Sequence, residues 1–181
     1  QMVAAGTVEN RDILPSFIFQ PAAHEMADGR IALPWDAANT RIIGEYARQR
    51  GAEVPQRLIS SSKSWLSNAM IDRNQPVLPW AGPEDVPKLS PVEASSLLLT
   101  HARDAWNHRM AAGDEARRME HQEILLTVPA SFDAVARELT VKAARQAGLH
   151  HVTLLEEPQA AFYAWIEASH DLWRKNVQKG D

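Results

Sequence analysis

Histidine is the commonest side chain for metal binding and for acid–base chemistry near neutral pH, and seven are present. His101 and His108 lie seven positions apart in a stretch that reads as helix, and His150 and His151 are adjacent. Neither spacing matches the His-Glu-x-x-His arrangement of a helical zinc site, so no residue is assigned to a metal. Cysteine is absent, which removes thiolate nucleophiles, disulfides and Cys-based zinc sites together. No serine sits in a Gly-x-Ser-x-Gly turn, so a hydrolase triad lacks its nucleophile elbow. Phosphate is most often gripped by backbone N–H groups of glycine-rich turns at a helix start. The eight glycines are scattered from Gly6 to Gly180, and no residue is assigned to direct nucleotide binding. Six tryptophans, Trp35, Trp65, Trp80, Trp106, Trp165 and Trp173, could line a binding surface; more often such residues fill cores and interfaces.

Two regions with different grammar must position these side chains. Eight of the eleven prolines precede residue 90, which favours short strands and turns because proline fixes φ and lacks an N–H. There, Ser16–Phe19 and Gly29–Leu33 read as two short strands, with Asp28-Gly29 as turn chemistry between them. Ile42 to Arg50 suits a short helix ending at Gly51. Pro76 to Pro87 reads as an irregular, exposed connection and the best internal boundary. After it, Ser90-Pro91-Val92-Glu93 carries an N-cap hydroxyl, a proline at the first helical position and a glutamate three past the cap. The predicted helix runs to about Ala112, stopping near Gly113, with Val92, Leu98, Leu99, Ala102, Ala105 and Trp106 as its apolar stripe. Ile124–Val128 reads as a central strand covered on both faces. A helix follows from the Asp133 cap to Gly148, with Val135, Leu139 and Ala143 on one face and a Glu138–Lys142 pair on another. Val152–Leu155 then forms a strand and Gln159–Ala168 a helix. Strand, helix, strand at this spacing is a βαβ unit with parallel strands and a right-handed crossover.

Composition narrows the function classes. The 181 residues are 45% hydrophobic and 23% charged, with a net charge of -4 from 19 basic and 23 acidic side chains. That reads as one or two globular domains with no electrostatic footprint for nucleic acid or an anionic membrane. No apolar run approaches the ~20 residues that span a bilayer. The N-terminal stretch lacks the basic end and apolar block of a signal peptide, and Gln1 ahead of Met2 points to an internal start. Residues alone thus lead to an α/β domain without an identifiable site.

Two ordered motifs carry a likeness to a known family. Thr127-Val128-Pro129-Ala130-Ser131-Phe132-Asp133, then Arg137 eight residues past the proline, then Ala147-Gly148-Leu149, resembles the strand–turn–helix of the seventy-kilodalton, DnaK-like heat-shock chaperones. Glu156-Glu157-Pro158-Gln159-Ala160-Ala161 falls where that family has Asn-Glu-Pro-Thr-Ala-Ala. More loosely, Leu14-Pro15-Ser16 resembles its Thr-Pro-Ser strand, Ile42-Ile43-Gly44 its Val-Gly segment, and Lys63 its ATPase lysine. The likeness covers about residues 11 to 168.

The resemblance implies an α/β fold of the actin-like ATPase, ribonuclease H-like type. The chain would be a truncated first lobe, with 1–89 as a smaller α+β subdomain and 90–181 as the helix plus βαβ part of the core. It implies catalytic roles for Lys63, at the γ-phosphate and attacking water, and for Glu157, near the Mg²⁺ water shell or as proton acceptor. Pro129 and Arg137 would form an allosteric relay to a substrate-binding domain. Without the likeness, Lys63 reads as a solvated surface lysine and Glu157 as a strand-end acid favoured by the next helix dipole. Likewise Pro129 merely ends a strand, and Arg137 lies off the apolar stripe. The family's two glycine-rich phosphate loops, second lobe and peptide-binding domain have no counterpart here. ATP or ADP and Mg²⁺ are therefore expected in a cytoplasmic, stress-responsive parent that hydrolyses ATP to bind and release client peptides with co-chaperones. The fragment alone is expected to be inactive and to bind none of them. The alternative is a non-enzymatic interaction module using the tryptophan-rich first half.

Overall fold

A computed structural model describes residues 1–26 and 29–170. Strands β1 (Met2–Ala4) and β2 (Thr7–Val8) form an antiparallel hairpin turned at Gly6, whose φ of 70° suits glycine. Strand β3 (Phe17–Phe19) is flanked by β4 (Ile42–Ile43) and β5 (Leu58–Ser60), both antiparallel to it. The apolar triplet Phe-Ile-Phe makes this the buried middle strand, with Ile18 opposite both Ile43 and Ile59. A short helix α1 (Ala23–Met26) precedes the two undescribed positions, so the Asp28 half of the expected turn lies outside the described residues.

Two expectations for this region fail. Gly29–Leu33 is not a strand: the segment coils, with one Leu33–Asp36 bridge, although Ile31 and Leu33 are buried. Its alternating apolar pattern reflects burial without pairing, because β4 and β5 occupy both edges of β3. Ile42 does not start a helix, since the β-branched pair extends as β4. Helix α2 (Glu45–Glu53) begins after Gly44 and continues through Gly51. Gly51 is there for room: a Cβ on it would come within 2.4 Å of the Leu58 side chain.

Helix α3 (Ser62–Trp65) leaves β5 through Ser61, a non-glycine residue held at φ 55°. The 76–87 connection is irregular, as expected, but not simply exposed. Leu78, Val86 and Leu89 are buried, and Leu78 bridges to Leu89.

Helix α4 (Pro91–Trp106) has the full capping box: the Ser90 hydroxyl accepts from Glu93 N at 3.1 Å and the Glu93 carboxylate from Ser90 N at 2.7 Å. The helix widens into a π-type turn over Asn107–Ala111 and stops where Ala112 and Gly113 take positive φ. Its buried face is Pro91, Val92, Ala94, Ser96 and His101, whereas Trp106, assigned to the stripe, is 38% exposed.

Strands β6 (Ile124–Val128) and β7 (Val152–Glu156) pair in parallel, Val128 opposite Glu156, with α5 (Ala134–Gln146) between them in the chain. The βαβ unit is present. Among the described residues β6 pairs with β7 alone, and Leu125 is 67% exposed, so β6 is not covered on both faces. Helix α5 buries Ala136, Leu139, Thr140, Ala143 and Ala144; Val135, one position off that face, is 52% exposed. Lys142 does not pair with Glu138 but donates to Asn74 Oδ1 at 2.7 Å. Helix α6 (Glu157–Ser169) starts directly at the end of β7, two residues earlier than expected.

Apolar clusters tie the two regions together. Leu66 packs with Val92, Val128 and Phe132, and Ile18, Ile43 and Ile59 pack with Leu89 and Ala94. No described helix is long and apolar enough to cross a membrane.

Candidate functional site

The first turns of two helices bring the candidate catalytic residues together. Lys63 is the second residue of α3, aimed by the left-handed turn at Ser61, a conformation costly for a side-chain-bearing residue and often found where geometry matters. Glu157 is the first residue of α6, where the helix dipole favours a negative charge. The Lys63 Nζ donates to Glu157 Oε1 across 94 positions of sequence. Both side chains are close to half exposed, 44% and 46%. An ion pair so open to water is worth about 1 kcal/mol or less. Fold stability therefore gives little reason for the pair, and both charges remain reachable by a ligand.

The relay candidates sit beside it. Pro129 ends β6, and its carbonyl accepts from Phe132 N at 3.1 Å. Arg137, on the second turn of α5, donates Nε to the Phe132 carbonyl at 3.1 Å and Nη2 to Glu156 Oε1 at 2.7 Å. Arg137 thus reaches Glu156, the residue before Glu157, and among the described residues no hydrogen bond or ion pair joins it to the Lys63–Glu157 pair itself.

A second fastening was not anticipated. Arg73, only 8% exposed, reaches both carboxylate oxygens of Asp133 at 3.3 Å and the Asn68 carbonyl at 3.1 Å. Asp133 also caps α5 by accepting from Ala136 N at 2.6 Å. That backbone bond first, and Arg73 second, hold its carboxyl below the usual aspartate range. The loop leaving α3 is thus anchored to the turn after Pro129. Asp133 was legible as a cap, but nothing local marks Arg73, 60 positions away.

A cation beside a carboxylate can stabilise a developing anion and accept or orient a proton. The described residues supply no glycine-rich cradle, and no three His, Asp or Glu side chains among them converge as a metal site.

No family model matches the chain. Curated relatives do. Chaperone protein HscA of Edwardsiella ictaluri is 33% identical over 133 residues, 71% of this chain and 22% of that protein. HscA of Salmonella paratyphi C is 31% identical over 163 residues, 87% of this chain and 24% of that protein. The chain is similar to the HscA chaperones over part of their length. HscA of Serratia proteamaculans repeats the match at 31% over 162 residues. The chain spans about a quarter of the length of these HscA relatives. This likeness supports the seventy-kilodalton chaperone family and not the DnaK-like branch that the sequence motifs resemble. The mixed α/β architecture is compatible with an actin-like lobe.

Proposed function

We propose that these residues form part of the first, actin-like lobe of an HscA-type ATPase domain, and that the longer protein hydrolyses ATP to drive binding and release of client peptides. The observation that carries this reading is the contact of Lys63 with Glu157. These residues are 94 positions apart, on different elements, and the family resemblance assigns a chemical role to each. In this reading Lys63 presents its ammonium to charge developing on the transferred phosphoryl group, and Glu157 orients Lys63 and accepts a proton from the attacking water. Arg137 and the turn after Pro129 pass the state of that pair to the rest of the protein. Among the described residues no three His, Asp or Glu side chains converge as a Mg²⁺ site, and Glu157 is engaged by Lys63. Metal and adenosine contacts belong to the remainder of a protein of the relatives' size, as do co-chaperone and client contacts. A cytoplasmic location goes with this reading, and neither nucleic acid nor membrane is a partner in it.

Titration calorimetry of the 181-residue chain with Mg-ATP tests the division of labour. No micromolar binding is expected; micromolar binding would place a complete nucleotide site within these residues and overturn it.

One observation favours a second reading, an interaction module. Trp80 is 60% exposed and stacks on Trp65 at 5.4 Å between ring centroids. If that platform rather than Lys63 carries function, Trp80→Ala abolishes partner binding by the longer protein while its ATP turnover stays unchanged.

A further inference from the structure

A cavity of about 650 Å³ lies between the N-terminal hairpin, the Pro34-Trp35 turn and the last two turns of α4. Its size is that of a small-molecule pocket. Neither Lys63 nor Glu157 lines it.

Trp35 forms an aromatic wall. Its ring lies 5.6 Å from His101, edge to face, and 5.6 Å from His108, tilted. This accounts for the seven-residue spacing of the two histidines: they bracket one indole and do not share a metal. Leu14 and Ala105 add apolar surface.

His101 is the buried polar side chain that lines the cavity. It is 7% exposed and lines the cavity, yet its imidazole makes no hydrogen bond among the described residues. Burial pushes its pKa down to about 4. It is neutral at pH 7 and offers one N–H donor and one acceptor.

The mouth carries positive charge. Arg11 is engaged by Glu9 at 2.7 Å, while Arg109 forms no ion pair among the described residues. A guanidinium at an aromatic-walled mouth suits a planar anion, which it meets with two parallel N–H bonds.

We propose that this cavity binds a small planar aromatic carboxylate, its ring against Trp35, a polar edge on His101 and its carboxylate on Arg109. The proposal does not rest on ATPase chemistry.

Indole-3-acetate, with uncharged indole as its control, is titrated into the ¹⁵N-labelled chain while the Trp35 indole N–H and the His101 ring are followed by NMR. Saturable shifts at both are expected, with a Kd on the order of 1 mM for so small a ligand. Indole should bind about tenfold more weakly for want of the charge-assisted contact. Arg109→Gln, an exposed change that spares the fold, should weaken indole-3-acetate to the level of indole and leave indole unaffected. Trp35→Leu should abolish both. Linear, non-saturating shifts, equal affinity for acid and neutral probe, or an unaltered response in Arg109→Gln would overturn the assignment.

Discussion

Lys63 and His101 are the side chains whose surroundings make the sharpest demands. Lys63 is half exposed and bound to Glu157, so removing it should barely touch folding. Lys63→Ala is expected to change unfolding free energy by less than about 1 kcal/mol, measured by urea denaturation. His101 behaves oppositely. Its folded pKa of about 4 lies below the ordinary 6.5, so between those values the unfolded chain binds a proton the folded chain refuses. Stability is then full above about pH 6.5 and falls as pH drops towards 4. The loss from this group should be about 2 kcal/mol between pH 7 and pH 5. Denaturant unfolding at the two pH values checks it against His101→Leu, in which that part of the slope disappears. An equal slope in both proteins would show that His101 titrates freely.

Elements were legible where one local signal decides them. The Ser90 capping box, the Asp133 cap and the apolar run of β6 were read correctly because each depends on residues within four positions. Ile42-Ile43 was misread because two residues carry no period, and only pairing with β3 makes them a strand. The exposed side of β6 was misjudged because a continuous apolar run looks the same whether a second layer covers it or not. At this scale Arg73 is the device to test, since it fastens the loop after α3 to the start of α5. Arg73→Ala should cost about 2 kcal/mol, because the buried arginine exchanges charge-assisted bonds and packing for a void. Asp133→Asn keeps an N-cap acceptor and should be milder than Asp133→Ala. Urea midpoints of the three variants at unchanged m-value make the comparison.

The molecule as a whole shares its core across residue 90. Leu66 packs with Val92 and Val128, and Ile18 with Ala94, so the proline-rich region and the helix-plus-βαβ region, proposed as two subdomains, should melt as one unit. Tryptophan fluorescence and far-UV circular dichroism are expected to give superimposable urea curves, and separated midpoints would mean the halves fold alone. The same joining brings Lys63 to Glu157. The family resemblance named both residues but could not show that they touch, because their meeting depends on β5, α3 and β7 packing against shared neighbours. Whether that meeting is catalytic is decided by single-turnover ATP hydrolysis in the longer protein proposed above, comparing wild type with Lys63→Ala. The expected result is hydrolysis slowed by about 10²–10³-fold with nucleotide affinity largely kept, as for loss of a group acting on the transition state. Unchanged turnover in Lys63→Ala would contradict it.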